Sequence, residues 1–254
     1  MDNLSIVVLN YNGKDVLQEL LISILIQKHT GDEVLIIDNQ STDGSEEIGK
    51  KYGTVVLENN KNQFVGGLNK AFEYAKNEKV LFLSNDLILK HGFLDNMRKE
   101  ITSDRVVQPV FYTSEGIQNA GADFYYPMLG MARKAIYSIL SHTPVFATTA
   151  FGMTKTTFKN IGKFDENLAP AFLEDIDYSF RAKKLGVDIF VVGNAWCYHH
   201  TSHTFGKKYG KTKISGFCER NRIYLIRKHY KGVDKFLRLI TMKGLQLCKS
   251  LLVT

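Results

Sequence analysis

Three short stretches of this 254-residue chain set charged or ionisable side chains where they could do chemistry. In "VLFLSNDLIL" (80–89) an apolar run breaks at Ser84-Asn85-Asp86 and then resumes. A buried, unpaired carboxylate is costly, so Asp86 must pair, bind a metal or sit at an open strand end. In "FLEDIDYSFR" (172–181) Glu174, Asp175 and Asp177 fall within four positions. Acidic residues favour helix N-termini through the macrodipole, yet three so close repel one another and call for cationic or hydroxyl partners. In "YHHTSHT" (198–204) His199, His200 and His203 lie within five positions, and neutral imidazole is a competent metal ligand.

The elements that must position these residues alternate. "LSIVVL" (4–9), "EVLII" (33–37), "TVVLE" (54–58) and "KVLFL" (79–83) read as strands, with helical spacing over 15–27, 43–52 and 66–77. Asp43 followed by Glu46 three residues on predicts a capped helix start. Buried β-branched strands alternating with helices imply an α/β fold with a mostly parallel central sheet covered by helices. Ligands of such sheets sit beyond the carboxyl ends of the strands. That rule gathers Asn10-Tyr11-Asn12, Asp38-Asn39 and Ser84-Asn85-Asp86 at one crevice. Further on, "RVVQPVFY", "IQNAGADFYY", "VFATTAFGM" and "VDIFVVG" have strand character, and 171–186 is helical with Gly186 as its stop. Residues 127–144 lack strand periodicity and read as a loop or helix on the acceptor side.

Composition narrows the class. At 44% hydrophobic residues the chain can bury a sizeable core. Cys197, Cys218 and Cys248 are far apart and odd in number, which suggests neither a disulfide framework nor a zinc site and fits a reducing compartment. The start, "MDNLSIVVLNYNG", has no basic leader and no apolar run of membrane length, so the expectation is a cytoplasmic protein. The net charge of +7 is local: residues 206–254 hold 13 Lys and Arg against Glu219 and Asp234, a net +11, leaving −4 for the rest.

Taken in order, "IVVLNYNG", "LIIDNQSTDGS", "NQFVGGLNKAFEYA", "VLFLSND", "FLEDIDYSFRAKKLG" and "WCYHHTSHTFG" resemble a family 2 glycosyltransferase of GT-A fold, in its rhamnosyltransferase-like branch, over about residues 4–206. The resemblance implies an inverting enzyme that moves a sugar from a nucleotide-diphosphate donor, a UDP- or dTDP-sugar such as dTDP-rhamnose, to a hydroxyl of a glycan or lipid-linked glycan. It implies a divalent cation, Mn2+ or Mg2+, to neutralise the departing diphosphate. Asp86 would be one ligand and His199, preferred by alignment over His200 and His203, the other. Ser84 stands where the family commonly has a first carboxylate, so a less charged, weaker metal site is expected. Asp175 would be the base that takes the acceptor's proton, with Glu174 holding the acceptor or raising the pKa of Asp175. Arg181 is expected as the i,i+4 partner of Asp177. For the donor nucleotide, Asp38 would accept from a pyrimidine imide, Leu9, Asn10 and Tyr11 would line base and ribose, and Ser84 and Asn85 would adjoin the diphosphate. Gly66 and Gly67 would permit close backbone approach, and Asn69 and Lys70 would reach the nucleotide or diphosphate. Asn39, Asp43 and Ser45 would shape the loop.

Two other readings compete. A nucleotidyltransferase would carry a Gly-rich loop with Arg and Lys after its first strand, where this chain has "NYNGKD". A non-catalytic nucleotide- or nucleic-acid-binding module rests only on the basic tail, whose Phe217, Tyr224, Tyr230 and Phe236 are spaced for a helix face and not for base stacking. Residues 1–206 are thus expected as the catalytic domain and 207–254 as a basic amphipathic helical extension. Phe236, Leu237, Ile240, Leu245, Leu247 and Leu251 form its apolar stripe, interrupted by Lys235, Arg238, Lys243 and Lys249. That stripe suits a peripheral helix on the inner face of a membrane, the catalytic domain itself or a second copy of the chain.

Overall fold

The computed structural model describes residues 2–59, 63–125, 130–133, 140–200 and 204–251; for 123–125, 130–133, 204–207 and 242–251 it describes the backbone alone. The first half alternates as β1 (Leu4–Asn10), α1 (Leu17–Leu25), β2 (Glu33–Asp38), α2 (Ser45–Lys51), β3 (Val55–Glu58), α3 (Phe64–Tyr74) and β4 (Lys79–Ser84). Then come β5 (Leu87–Leu89), α4 (Phe93–Glu100), β6 (Arg105–Thr113), β7 (Gly116–Asn119), β8 (Ala122–Tyr125), β9 (Gly130–Arg133), β10 (Leu140–His142) and β11 (Ala150–Thr154). The chain continues through α5 (Lys155–Ile161), a 3-10 turn (Glu166–Leu168), α6 (Glu174–Lys184), β12 (Asp188–His199), α7 (Thr204–His229) and α8 (Gly232–Leu251).

The main sheet runs β10-β12-β6-β11-β4-β1-β2-β3, with β5 on β12 and β7 on β6; β8 and β9 make a separate hairpin. β3, β2, β1 and β4 are parallel, as are β6 and β12, while β11 is antiparallel to both β4 and β6 between them. Strand alternation sends Val7, Leu9, Ile37 and Phe82 to one face, under Val65, Leu68 and Phe72 of α3 and Leu225 and Ile226 of α7. Ile6, Val8, Ile36, Leu81 and Leu83 go to the other, under Leu17, Leu20, Leu21 and Ile24 of α1 and Phe93, Leu94 and Met97 of α4. Both faces are covered, which is why these strands read as unbroken apolar runs. At the sheet end away from the crevice, Asp32 and Arg98 pair bidentately at 2.8 and 2.7 Å.

Two sequence expectations change. Residues 127–144 are not helical where described: 130–133 and 140–142 are strands of four and three residues, too short to display a period. The start of α2 is no capping box; Gly44 is the cap at φ 81°, Asp43 accepts from Ser45 N, and Glu46 pairs with Lys50. The first half of the tail packs on the catalytic core, where Asn221, Leu225 and Ile226 of α7 are fully buried.

Candidate active site

The loops after β1, β2 and β4 meet as the strand-end rule requires. Asn10 is wholly buried at their junction, its Nδ2 donating to Asp38 Oδ1 (2.8 Å), Ser41 Oγ (3.1 Å) and Ser45 Oγ (2.8 Å). Its Oδ1 accepts from Asn85 Nδ2 at 2.8 Å, tying β1 to the β4 end. Gly13 makes this possible, since a Cβ there would sit 2.3 Å from Asn85 Nδ2 and 2.4 Å from Asn10 Oδ1. Asp38 is buried, and its carboxylate also accepts from Ser41 Oγ (2.6 Å) and Ser41 N (2.8 Å). Its carboxylate therefore holds the two loops together. Asn39 accepts from Asn59 Nδ2 at 2.6 Å, and Asp43 accepts from Lys14 N and Ser45 Oγ, so these residues do shape the loop. Leu9 is buried, while Tyr11 stays partly open and carries Lys208 of α7 over its ring at 4.3 Å.

Two expected donor contacts lie elsewhere. Asn69 is buried and brackets the 164–166 segment, donating to Phe164 O and Glu166 Oε1 (3.1 Å each) and accepting from Phe164 N (2.8 Å). Both amide hydrogens are thereby committed to protein acceptors. Lys70 donates to Glu58 O at 3.0 Å. Gly67 serves packing, its missing Cβ making room for Leu9 Cδ1 at 2.4 Å, and the corresponding position at Gly66 meets nothing closer than 3.8 Å.

At the end of β4, Ser84 N donates to Thr149 O (2.8 Å) and the chain turns through buried Asn85 and Asp86. β5 then pairs with the end of β12 in the register Leu87–His199, and His200 N donates to Asp86 O at 2.9 Å. This pairing sets His199 Nε2 3.3 Å from Asp86 Oδ2. His200 turns outward to Glu19 at 3.0 Å. His203 lies outside the described residues. His199 Nδ1 is 2.7 Å from Gln118 Oε1, and since an amide oxygen only accepts, Nδ1 donates to it and Nε2 is the ring atom turned toward Asp86. Two ligand atoms each about 2.1–2.2 Å from one cation, at roughly a right angle, lie about 3 Å apart, so this pair suits a shared divalent ion. Among the described residues no group of three or more His, Cys, Asp or Glu could hold a metal.

The acidic pair sits two backbone links away. Thr148 Oγ1 donates to Glu174 Oε1 at 2.8 Å, and its neighbour Thr149 is the residue bonded to Ser84. Glu174 is buried, and its Oε2 makes no hydrogen bond among the described residues. Burial pushes its pKa up. Asp175 is half-buried; loss of solvent and then the Glu174 charge push it up to about 8. Phe172 and Leu173, just before the pair, both take left-handed backbone (φ 80° and 69°), a conformation unfavourable for branched and aromatic residues that must be held by its surroundings.

The holder is α7, which no sequence pattern had pointed to. Asn221 Nδ2 donates to the carbonyls of Leu168 (2.9 Å), Ala171 (3.1 Å) and Phe172 (2.8 Å), and Arg220 donates to Ala169 O. Burial raises the Cys218 thiol, Arg222 lowers it and Glu174 raises it, so this turn of α7 runs beside the acid pair. Asp177 is bound by Arg181 (2.9 Å), as its spacing predicts, and also by Lys228 and His229 (2.7 Å each). Burial opposes its ionisation, but hydrogen bonds from His229 and Lys228 and the Arg181 charge hold its pKa below the usual range. Of the three carboxylates, Asp177 is structural.

A sheet of this topology, with the loops after β1, β2 and β4 gathered at its carboxyl edge, is the GT-A fold, and the chain belongs to glycosyl transferase family 2, whose family model matches residues 5–162. TuaG of Bacillus subtilis (strain 168), named as a teichuronic acid biosynthesis glycosyltransferase, is 35% identical over 89 residues, covering 32% of this chain and 35% of that protein. The solved structure of GalNAc-T7 with UDP, GalNAc and Mn2+ superposes with TM-score 0.69 at 16% identity, covering 78% of this chain and 43% of that one. S. aureus TarS 1–349 in complex with UDP-GlcNAc gives TM-score 0.62 at 20% identity over 94% of this chain and 71% of that one. The mannosyltransferase PcManGT from Pyrobaculum calidifontis, with GDP-Man and Mn2+, gives 0.62 at 13% over 94% and 68%. At these identities the likeness to the solved structures is one of fold. The chain spans about a third of TuaG and less than half of GalNAc-T7.

Proposed function

We propose that this chain transfers a sugar from a nucleotide-diphosphate donor to a hydroxyl of a glycan or lipid-linked glycan, in one inverting step. The observation that carries the reading is the pairing of Asp86 with a Gln118-oriented His199 at the β4 end, joined through Thr148-Thr149 to the Glu174–Asp175 pair. Asp175 takes the proton of the attacking hydroxyl, and its elevated pKa makes it a stronger base than an ordinary carboxylate. Buried Glu174, with one oxygen on Thr148, keeps the pKa of Asp175 high and leaves its second oxygen for a substrate hydroxyl. A divalent cation, Mn2+ or Mg2+, held by Asp86 and His199 would offset the charge gained by the departing diphosphate. Tyr11, with Lys208 above it, lines the nucleotide side.

UDP- and dTDP-sugars, dTDP-rhamnose included, are the donors proposed; among the structural neighbours some carry UDP, UDP-GlcNAc or UDP with GalNAc and one carries GDP-Man. The named biosynthesis of TuaG supports a cell-envelope polysaccharide as acceptor. The test is to incubate the purified chain with a panel of UDP-, dTDP- and GDP-sugars and Mn2+. Sugar release from a diphosphate donor, abolished by chelator, is expected. Release of pyrophosphate from nucleoside triphosphates would make it a nucleotidyltransferase, and a retained anomeric configuration in the product would rule out the single-base mechanism.

A further inference from the structure

Helix α8 has two unlike sides. On one, Leu239 packs against the hydrophobic core together with Tyr230 of the α7–α8 turn. Arg238 lies on the same side, its guanidinium 4.0 Å from the Tyr230 ring centroid and its Nε 3.0 Å from Asp234. The other side carries Val233, Phe236, Leu237 and Ile240 at the i, i+3, i+4, i+7 spacing of a single helix face, and they are 73%, 62%, 48% and 50% exposed. Scattered apolar residues on a surface mean nothing, but a contiguous stripe marks an interaction site. Because Leu239 fixes the rotation of the helix, the stripe points away from the domain and is not buried by any described residue.

The charge around this stripe selects the occupant. Lys228 is neutralised by Asp165 and Asp177, and Arg238 by Asp234. Arg227 and Lys231, both exposed near the α7–α8 turn, form no ion pair among the described residues, and Lys243 and Lys249 follow in the sequence. A second copy of the chain would have to set this patch on itself, since a two-fold interface repeats one surface, and so would bring like charges together. A bilayer with anionic headgroups offers the opposite charge and an apolar interior at the same depth as the stripe. Spanning is excluded for the described residues, none of whose helices is long and apolar enough to cross a membrane. We propose that α8 is a membrane-surface helix: its stripe enters the headgroup–acyl boundary of an anionic bilayer, and the unpaired cations of α7 and α8 meet lipid phosphates. The reading is independent of the donor and of the metal.

The test is flotation of the full chain with vesicles of phosphatidylcholine alone or with about a quarter phosphatidylglycerol, at about 50 mM and about 500 mM salt. Wild type is expected to float with the anionic vesicles at least roughly tenfold more than with neutral ones, and to lose most of that at high salt. The solvent-facing pair Phe236→Ser with Leu237→Ser should lose flotation at both salts while circular dichroism and sedimentation stay those of wild type. Arg227→Glu with Lys231→Glu should lose it at low salt as well. Absence of flotation, or flotation unaltered by the serine pair, overturns the proposal. A wild-type dimer that the serine pair converts to monomer, without lipid binding, assigns the stripe to a second copy and overturns it equally.

Discussion

Asp175→Asn should make the protein more stable at alkaline pH and inactive at every pH. The carboxyl of Asp175 is raised to about 8 by burial and by Glu174, against about 3.9 for a free aspartate, so the folded state holds its proton where the unfolded chain has lost it. Stability is therefore intact below about pH 4 and falls as pH rises toward 8, with the full cost present above that. A gap of this width corresponds to at most about 6 kcal/mol. Asp175 is only half-buried and water screens it, so roughly 1–3 kcal/mol is the expected effect. The asparagine keeps the shape and can still accept from Ile176 N, as Asp175 Oδ1 does at 2.8 Å, but carries no charge to desolvate. Thermal unfolding of both proteins at pH 5 and pH 9 is the assay. The variant should match wild type within a degree or two at pH 5 and melt roughly 3–8 °C higher at pH 9. Its kcat should fall by about a hundredfold or more, with donor KM little changed. In wild type, kcat/KM should climb with pH along a limb near 8. A variant with the same melting difference at both pH values would refute the reasoning, because it would mean that Asp175 ionises as an ordinary surface carboxylate.

Three further outcomes follow from the geometry. Gln118→Leu removes the acceptor that fixes the His199 tautomer and should raise the Mn2+ concentration for half-maximal activity by about 10–100-fold, while Gln118→Glu restores it; metal titration of the rate decides. Asn221→Ala leaves three loop carbonyls without their donor and should cost about 1–3 kcal/mol in urea unfolding. It should also lower kcat more than donor KM; an unchanged kcat would show that the strained turn before Glu174 holds itself. Gly13→Ala drives a methyl into the Asn10–Asn85 hydrogen bond and should destabilise by about 1–3 kcal/mol and weaken nucleoside-diphosphate binding in a thermal-shift titration.

What the sequence reveals about this protein depends on how far apart the interacting residues lie along it. β1, β2 and β4 could be read to within a residue or two because each is buried on both faces and so carries a β-branched apolar run, and Asp86 stood out because it interrupts one. The i,i+4 pair Asp177–Arg181 was legible from spacing alone. β9 and β10 were not legible, being three or four residues long, and β5 was hidden inside the run that Asp86 interrupts. Gln118 and Asn221 are ordinary amides in sequence; their roles come from contacts with His199 and with residues 168–172 that only the fold creates. Asn69 misled for the converse reason. Its place after two glycines suggests a ligand contact, but tertiary packing commits its amide to Phe164 and Glu166.

The strand order also dictates an order of assembly. β1 to β4 pair among themselves within the first 84 residues, each closed by one helical crossover, so the loops of the nucleotide side can come together from chain that leaves the ribosome early. β11 and β12 return much later to pair with β4 and β6, and α7 clamps the acid loop later still. Such non-local closures are slow. Until β11 arrives, β4 presents an open edge that includes Leu81, Phe82 and Leu83, all buried in the finished protein, and an uncovered apolar edge is a template for pairing with another chain. Nascent chains halted before residue 150 should therefore be the aggregation-prone species, and chaperone dependence should end once β11 has been made.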